Sequence, residues 1–502
     1  MSNLSDLLPA GAGGKQVDFV ASGTLSSGVT VALNADGTVG VISGSAAGFG
    51  SSVVFESVNS SYTSATFDST NNKIVIAYGN GIGYGTAVVG TVSGTSISFG
   101  TPVLFNSANS DYNSATYDSA NNKIVIAYRD GGNSNYGTAI VGTVSGTSIS
   151  FGTAVVFNTA ASWVSATFDS TNNKVVIAYR DEGNSNYGTA IVGTVSGTSI
   201  SFGSDVAFNS GNTNTNISAV YDSTNNKIVI AYQDTASSSY GTAIVGTISG
   251  ASISFGTEVV FESAGSDYIS ATFDSTNGKI VIAYRDVGNS SYGTAIVGTV
   301  SGTSISFGTA VVFESGYTLY ISATYDATNN KAVINYRDNA GSDYGTSILG
   351  AVSGTSISFG AAAVFESAVS NWISATYDST NEKVVIGYAD AGNGSYGTAI
   401  VYQAGVVTNN TSFIGITDAD VASGASGSVT IKGGISTIKG GTYTITVVNS
   451  GSGNKYAING VEQSVLNLYE GATYKFDQSS GTNAGHPFRF STTSDGTHGG
   501  GS

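Results

Sequence analysis

The stretch Ser114-Ala-Thr-Tyr-Asp-Ser-Ala-Asn-Asn-Lys-Ile-Val-Ile-Ala-Tyr-Arg-Asp130 decides the fold, because close copies of it occur seven times along the 502-residue chain. Each copy begins 50 to 53 residues after the one before it. A fixed period of this kind is the signature of solenoids and propellers, in which every repeat is one supersecondary unit stacked on its neighbours. The first aspartates of the copies are Asp68, Asp118, Asp169, Asp222, Asp274, Asp326 and Asp378.

Each repeat is predicted to contain four β-strands. Four short runs are rich in β-branched or aromatic residues and are bounded by Gly, Asn, Asp or Ser, which is the pattern of strands. No window shows the apolar spacing of a helix. In the second repeat the predicted strands, named A to D, are Ser114–Asp118, Lys123–Tyr128, Gly137–Val144 and Ser148–Phe157.

The turn between strands A and B predicts a short antiparallel hairpin. Its fifth position holds Asn in five repeats, Gly278 in one and Glu382 in another. Asn and Gly interchange where the backbone needs a positive φ angle, so this position is expected to be left-handed. The turn between strands C and D also places Gly in a tight bend.

Seven such repeats fit a β-propeller of four-stranded antiparallel blades, since immunoglobulin-like domains need about 100 residues each and β-helix coils are much shorter. The last repeat lacks strand D, whereas an isolated copy of that strand, Phe49–Phe55, precedes the first strand A. This arrangement predicts an all-β, seven-bladed propeller over residues 47–403. The N-terminal strand closes the ring and removes two open edges.

The flanking segments carry no repeat. Residues 1–22 are predicted to be a tether or docking peptide, or simply a disordered terminus, and residues 23–46 to be a lead-in hairpin around Asp36-Gly37. Residues 404–450 and 451–502 are predicted to form a small C-terminal β domain in two parts. Its expected strands are Thr411–Ile416, Gly427–Ile431, Thr442–Val448, Lys455–Ile458, Val465–Leu468, Thr473–Phe476 and Phe488–Phe490.

The composition excludes several classes of function. A net charge of −16 and a pI near 4.3 argue against nucleic acid and anionic membranes, both of which favour basic surfaces. The absence of Cys excludes disulfides and thiol catalysis. No secretory signal and no apolar run of membrane-spanning length is recognisable, so no membrane insertion is expected.

One variable position stands just before each strand A and is aromatic in six repeats out of seven. It includes both tryptophans of the chain, and Asn216 is the exception. The loops on the same side of the ring differ between repeats, whereas the opposite turns are nearly constant. The aromatic residues are Tyr62, Tyr112, Trp163, Tyr268, Tyr320 and Trp372.

A second variable position follows strand B and carries Arg-Asp in four repeats. Aromatic faces stack on sugars, and carboxylate and guanidinium groups bind sugar hydroxyls, so the variable face suits a glycan, with up to seven weak sites acting by avidity. Alternatively, the aromatic residues pack between blades and the Arg-Asp pairs brace a loop. The pairs are Arg129-Asp130, Arg180-Asp181, Arg285-Asp286 and Arg337-Asp338.

Catalysis has little support in the sequence. The chain has only two histidines, His486 and His498, and both lie outside the repeats, so no Ser-His-Asp triad is expected in the ring. Glycoside hydrolysis needs one distinctive pair of carboxylates, whereas the aspartates here recur from repeat to repeat. The sequence predicts no enzyme and no catalytic residues.

The repeat resembles those of virion proteins of marine tailed bacteriophages, which carry variations on the motif Ser114–Asp130 and on Val-Ser-Gly-Thr-Ser-Ile-Ser-Phe-Gly. The segments Gly23–Thr38 and Ser412–Gly424 also look like modules of such proteins. The resemblance implies a virion surface component, such as a tail fibre, adhesin or head decoration. It also implies other virion proteins as partners in an oligomeric assembly.

The C-terminal stretch from Tyr456 to His498 resembles the first half of a cupredoxin-like domain, in which a His after Ala-Gly can bind copper. His486 matches that position. The second half, which carries the Cys, His and Met ligands, is absent, so neither copper nor another cofactor is expected.

The leading hypothesis is a structural phage protein that uses its variable propeller face for attachment to a host surface glycan or for subunit contacts. The alternatives are a cellular surface or secreted lectin-like adhesin and a polysaccharide-active hydrolase or lyase.

Overall fold

The computed structural model describes residues 48–404 except 212–216, together with residues 15–21, 30–33, 39–41, 413–417, 426–431, 442–449, 454–458, 461–462, 475–477 and 479. Contacts divide the chain into a repeat domain, Gly44–Val407, and a terminal domain made of Met1–Ser43 and Thr408–Ser502. In the described residues no helix is long and apolar enough to cross a membrane.

The repeat domain is built from antiparallel blades in the order A, B, C, D. Strands A lie in Ser61–Asp68, Val103–Asp118, Ala161–Asp169, Ser218–Asp222, Val259–Asp274, Val311–Asp326 and Ala363–Asp378. Strands B are Lys73–Gly79, Lys123–Asp130, Lys174–Asp181, Lys227–Asp234, Lys279–Asp286, Lys331–Asp338 and Lys383–Asp390. Strands C are Tyr84–Ser93, Tyr136–Ser145, Tyr187–Ser196, Tyr240–Ser249, Tyr292–Ser301, Tyr344–Ser353 and Tyr396–Gln403.

Strand D is broken into two halves, although the sequence predicted one strand. The first halves are Ser96–Phe99, Ser148–Phe151, Ser199–Phe202, Ser252–Phe255, Ser304–Phe307, Ser356–Phe359 and, in the last blade, Gly48–Phe49. The second halves are Val155–Asn158, Val206–Asn209, Val53–Asn59 and the beginnings of the four 16-residue strands that continue into the next strand A. Short 3-10 turns link B to C at Gly131–Asn133, Thr235–Ser237, Val287–Asn289 and Ala391–Asn393.

Two features distinguish the observed strand D from the predicted one, namely the break in its middle and its continuation into the next strand A. After six of the seven first halves, a glycine such as Gly308 turns the chain where a side chain would strike the neighbouring blade. At four of the junctions the Ser- and Asn-rich residues between D and A, which suggested a loop, form a bulge inside a strand that continues from D into A. The predicted all-β propeller class is confirmed.

The N-terminal strand completes the last blade. Strand Tyr396–Gln403 pairs antiparallel with Gly48–Phe49 and with Val53–Asn59. Neighbouring A strands are also joined by a serine Oγ that accepts a hydrogen bond from an alanine N–H, as between Ser64 and Ala115 at 2.9 Å. The same bond joins the last strand A to the first, from Ala65 N to Ser374 Oγ at 2.9 Å.

The core lies between blades and is made by strands B and C. Alternate faces of each strand B pack against the two adjoining blades, so B residues such as Ile280, Val281 and Ile282 are fully buried. The tyrosine near the end of strand B is buried as well, and in four blades its hydroxyl donates to a glutamate of a strand D, for example Tyr284 to Glu262 at 3.1 Å. In another blade Tyr232 donates to Glu258, which lies between the two halves of strand D. This hydrogen bond offsets the free-energy cost of burying the tyrosine hydroxyl.

The turn between strands A and B has the predicted geometry. In the second blade Asp118 Oδ1 accepts from the N–H groups of Ala120 and Asn121, both at 3.0 Å, and Oδ2 accepts from Asn121 Nδ2 at 2.8 Å. The fifth turn position has φ between 53° and 61° in all seven blades, which confirms the left-handed prediction. The repeated aspartates therefore hold the turns.

Glu382→Asn is expected to raise the free energy of unfolding by about 1 kcal/mol, because Asn adopts positive φ more readily than Glu. Asn also restores an acceptor that other blades use, as when Asn71 Nδ2 donates to Asn122 Oδ1 at 3.2 Å. Urea denaturation measures the change. Glu382→Gly isolates the backbone contribution, and a loss of stability in both variants would contradict the interpretation.

The described strands of the terminal domain form two sheets. One has the order Lys15–Val20, Ser426–Ile431, Phe413–Thr417, Thr30–Leu33 and Val39–Val41, and the other has the order Val461–Glu462, Asn454–Ile458, Thr442–Asn449 and Lys475–Asp477. The lead-in hairpin is present as an antiparallel pair.

Residues 1–22 were predicted to be a tether or docking peptide. In the structure Lys15–Val20, within this segment, form a strand that pairs with Ser426–Ile431. Segments from both ends of the chain thus share one sheet, a long-range pairing that local sequence pattern does not reveal. Residues 1–14, His486, His498 and the expected strands Val465–Leu468 and Phe488–Phe490 lie outside the described residues.

Candidate functional site

The aromatic position of each blade lies in a β-bulge at the start of strand A. In the second blade Asp111 pairs with Arg129 and Ser114 pairs with Ala127, so Tyr112 and Asn113 together face the single residue Tyr128. The same shift occurs in the other blades whose bulge is described. Asn216 lies outside the described residues.

The bulge holds the aromatic residue in a strained backbone conformation. All six have φ between 48° and 53°. Glycine is the usual residue in a left-handed bulge, and a bulky residue there costs on the order of 1–3 kcal/mol. Because each blade could relieve this strain with glycine, the repeated choice of Tyr or Trp points to a role for the side chain. Strain of this kind clusters at ligand-binding sites.

The six side chains form one continuous cluster, which we call the aromatic cup. Each ring contacts the ring of the next blade, except across the fourth blade. The centroid distances are 4.8 Å for Trp163–Tyr112, 5.0 Å for Tyr112–Tyr62, 4.2 Å for Tyr62–Trp372, 5.3 Å for Trp372–Tyr320 and 5.4 Å for Tyr320–Tyr268. The sequence suggested separate weak sites, whereas the structure brings the aromatic residues together.

The aromatic cup lines a cavity of about 420 Å³, a volume within the usual range of small-molecule sites. The residue after each aromatic also lines it. Five blades place an aliphatic residue at this position, whereas the first two place Thr63 and Asn113 there. This position is therefore polar in the first two blades and apolar in the other five. The aliphatic residues are Val164, Ile217, Ile269, Ile321 and Ile373.

The two polar residues differ in how they are bonded. Asn113 accepts from Ser110 Oγ at 2.7 Å and donates to the carbonyl oxygen of Tyr62 at 3.3 Å. Thr63 is 9% exposed, and its Oγ1 has no hydrogen-bond partner among the residues that the structure describes. A buried hydroxyl without a partner is costly, so Thr63 is suited to bind a polar group of a ligand.

The four predicted arginines lie at the rim, where neighbouring groups hold them. Arg285 forms an ion pair with Asp267, donates to the Tyr317 hydroxyl at 2.6 Å and lies 5.0 Å from the Tyr268 ring. The guanidinium groups of Arg129 and Arg337 lie 6.0 Å from the rings of Tyr112 and Tyr320, respectively.

The other contacts of Arg180 and Arg337 fix their orientation. Arg180 Nε donates to Asn186 at 3.0 Å. Arg337 donates to Asp343 and Asn371, both at 2.7 Å. Hydrogen bonds to neighbouring side chains thus hold both guanidinium groups in place.

The predicted aspartates lie beside the cup and hold the turn that follows strand B. Asp130 accepts from the N–H of Gly132 at 3.0 Å, Asp181 from Gly183 at 3.1 Å, Asp286 from Asn289 at 3.0 Å and Asp338 from Gly341 at 2.9 Å. Asp181 and Asp286 are also buried. The geometry matches the bracing alternative rather than direct contact in the cavity.

The tyrosines of the cup are neutral near pH 7. Burial, with contributions from Tyr112 and Asp111, raises the pKa of Tyr62 to about 12. Burial also raises the pKa values of Tyr112, Tyr268 and Tyr320. Their hydroxyl groups can therefore both donate and accept hydrogen bonds.

Sequence reasoning missed Thr63, Asn113, Asp267 and Tyr317. The first two directly follow an aromatic position and Asp267 directly precedes one, so variation on either side of the aromatic residue was the available signal. Tyr317 stands alone at its place in the repeat, and its contact with Arg285 depends on the bulge geometry.

No family model and no curated protein matches the sequence. Among solved structures, the BP39L lectin from Burkholderia pseudomallei is similar, with 9% identity and a TM-score of 0.54, over 70% of this chain and 98% of the lectin. The Cps50 (Swd1) β-propeller domain from Myceliophteria thermophila has 8% identity and a TM-score of 0.49, over 71% of this chain and 99% of that domain. At such identities the likeness to the lectin establishes the β-propeller fold alone.

Proposed function

We propose that this protein is a carbohydrate-binding β-propeller without catalytic activity, which attaches a phage particle to glycans on the host surface. The observation that carries the proposal is the aromatic cup, in which six strained side chains from different blades line one cavity. Backbone strain at six equivalent positions is explained if the side chains at those positions bind a ligand.

A saccharide fits the chemistry of the cavity. Aromatic rings stack on the apolar faces of a pyranose, while Thr63 and the tyrosine hydroxyls offer hydrogen bonds to its own hydroxyl groups. The volume of about 420 Å³ accommodates a ligand of one or two sugar rings. The similar fold of a lectin is consistent with this use.

Binding rather than hydrolysis is favoured by the position of the acidic groups. The aspartates after strand B accept hydrogen bonds from turn N–H groups, and Asp267, which lines the cavity, is paired with Arg285. Glycoside hydrolysis needs two carboxyl groups on either side of the scissile bond, one of them as an acid. A single carboxylate in an ion pair does not supply that arrangement.

A glycan array tests the proposed binding. We expect the protein to retain neutral glycans, and the double variant Trp163→Gly, Trp372→Gly to lose at least about tenfold in affinity, because it removes two stacking surfaces while tolerating the positive φ. Val260→Ala on the exposed part of strand D is the control and should bind normally. Unchanged binding by the folded double variant would refute the proposal.

The attachment role on a phage particle is tested separately. The resemblance of the repeats to virion proteins motivates it, and mass spectrometry of purified particles should detect the chain. A chain that is found only at a cell surface would instead support the lectin-like adhesin.

A further inference from the structure

The junctions between blades carry a pair of polar side chains at equivalent positions. One member follows the buried phenylalanine of strand D, and the other stands two residues after the buried tyrosine of strand B in the next blade. Between the first and second blades, Asn106 Nδ2 donates to Asp130 Oδ1 at 3.0 Å. In chain order the seven pairs are Glu56 and Asn80, Asn106 and Asp130, Asn158 and Asp181, Asn209 and Asp234, Glu262 and Asp286, Glu314 and Asp338, and Glu366 and Asp390.

The pairs are of two chemical kinds. Four combine an amide with a carboxylate, and an amide N–H can donate to a carboxylate at any pH. The other three combine two carboxylates, which only accept hydrogen bonds and repel each other when both are ionised. Two of these, Glu262–Asp286 and Glu314–Asp338, lie on the two sides of the fifth blade, and we call them the acid pairs.

The two carboxylates of the second acid pair border the same small space. A Cβ placed on Gly316 would lie 3.3 Å from Glu314 Oε1 and 3.6 Å from Asp338 Oδ1. The other oxygen of Glu314, Oε2, accepts from the Tyr336 hydroxyl at 3.0 Å. Glu314 Oε1 is therefore the atom that can carry a proton towards the aspartate, as the amide of Asn106 does in its own junction.

The groups that face Glu314 leave its charge poorly compensated. Tyr336 and Asp338 face it from strand B of the sixth blade, and the backbone N–H groups of Ser315 and Gly316 face it from its own strand. Burial, together with the negative charge of Asp338, raises the pKa of Glu314 above that of a free glutamate, although the hydrogen bonds act in the opposite direction.

The first acid pair has the same surroundings. Glu262 accepts from the Tyr284 hydroxyl at 3.1 Å, and the backbone N–H groups of Ser263 and Ala264 face it from its own strand. Burial and the negative charge of Asp286 raise the pKa of Glu262 as well. Both sides of the fifth blade thus hold a glutamate that favours its protonated form.

The arginines next to the acid pairs compensate other carboxylates. Arg285 and Arg337 directly precede the two aspartates, and successive residues of a strand point to opposite faces. Arg285 forms its ion pair with Asp267, and Arg337 forms one with Asp343. Their positive charges are therefore directed away from the acid pairs.

We propose that the acid pairs form a pH-sensitive switch, in which Glu262 and Glu314 take up a proton as the pH falls and then hold the fifth blade more tightly to both of its neighbours. The protonated carboxyl replaces the amide of the other junctions, while its second oxygen still accepts from the tyrosine. This stabilisation is complete below the pKa of an unfolded glutamate, about 4.3, and is lost as the pH rises through the higher pKa of the folded state. The inference does not depend on carbohydrate binding.

Carbon NMR of the whole protein, labelled with ¹³C at the side-chain carboxyl of glutamate, measures the protonation directly. Glu262→Gln and Glu314→Gln each remove one resonance and so assign it. We expect both resonances to titrate at a higher pH than the value of about 4.3 for a free glutamate. A midpoint at or below that value for either residue would overturn the proposal.

Thermal unfolding of matched variants measures the effect on stability. Glu314→Gln provides a neutral amide at every pH, so it should raise the unfolding midpoint by about 2 °C at pH 8 and leave it nearly unchanged at pH 4. Glu182→Gln is the control, because it removes an exposed charge outside the junctions and should shift the midpoint equally at both pH values.

The reverse substitution introduces the switch at another junction. Asn106→Glu places a second carboxylate beside Asp130, so it should lower the unfolding midpoint at pH 8 more than at pH 4. The proposal is wrong if this variant is not destabilised selectively at pH 8. It is equally wrong if Glu314→Gln and Glu182→Gln show the same dependence on pH.

Discussion

Phe55→Ala is expected to lower the free energy of unfolding by about 3–5 kcal/mol, as much as removing a core phenylalanine from any blade. Phe55 belongs to the N-terminal strand that completes the last blade and is only 7% exposed. Its ring lies 5.1 Å from that of Tyr78 and 5.5 Å from that of Phe99, both in the first blade. The strand therefore packs across the junction between the two ends of the repeat domain.

Phe261→Ala is the matched control for this prediction. Phe261 occupies the same position in a blade formed by one continuous segment, and its ring lies 5.2 Å from Tyr284 and 5.7 Å from Phe307. Denaturant unfolding of both variants should give similar losses. A loss below about 1 kcal/mol for Phe55→Ala alone would show that the N-terminal strand does not close the ring.

Gly308→Ala is expected to lower the free energy of unfolding by about 1–3 kcal/mol, because it overpacks the contact between two blades. A Cβ at this position would lie 1.9 Å from the carbonyl oxygen of Thr355 in the C–D turn of the next blade. Backbone cannot move aside as a flexible side chain does, so the blades must separate locally.

Gly360→Ala is the corresponding control, with an expected change below about 0.5 kcal/mol. Gly360 holds the same place one blade later, yet no described atom lies within 4 Å of its added Cβ. The last blade has no C–D turn, since its strand D comes from the N-terminus, so Gly360 meets no such turn. Equal effects of the two substitutions in thermal unfolding would contradict the arrangement of blades.

Much of the fold could be predicted from the repeat itself. The seven copies fixed the blade period, the Asn and Gly exchange at position 122 and its equivalents indicated the left-handed turn, and the isolated Phe49–Phe55 indicated the partner of the last strand C. Each of these features leaves a mark on local sequence. The pairing of Lys15–Val20 with Ser426–Ile431 leaves none, because it joins distant segments.

The candidate site could be located only in part. Variation among the repeats identified the six aromatic residues, but it suggested separate sites and also included the Arg-Asp pairs among the candidate ligand contacts. The sequence did not indicate the left-handed bulge, because Tyr and Trp rarely adopt the positive φ that they have here. That bulge brings the rings together. The aspartates, in contrast, accept hydrogen bonds from the N–H groups of the turn after strand B.

The number of saccharide molecules bound per chain tests the central claim most directly. Calorimetric titration with a neutral methyl glycoside that the protein binds should give one site per chain, because the six aromatic residues line a single cavity. Six or seven equivalent sites would mean that each blade binds on its own. That result would contradict the account of a shared aromatic cup.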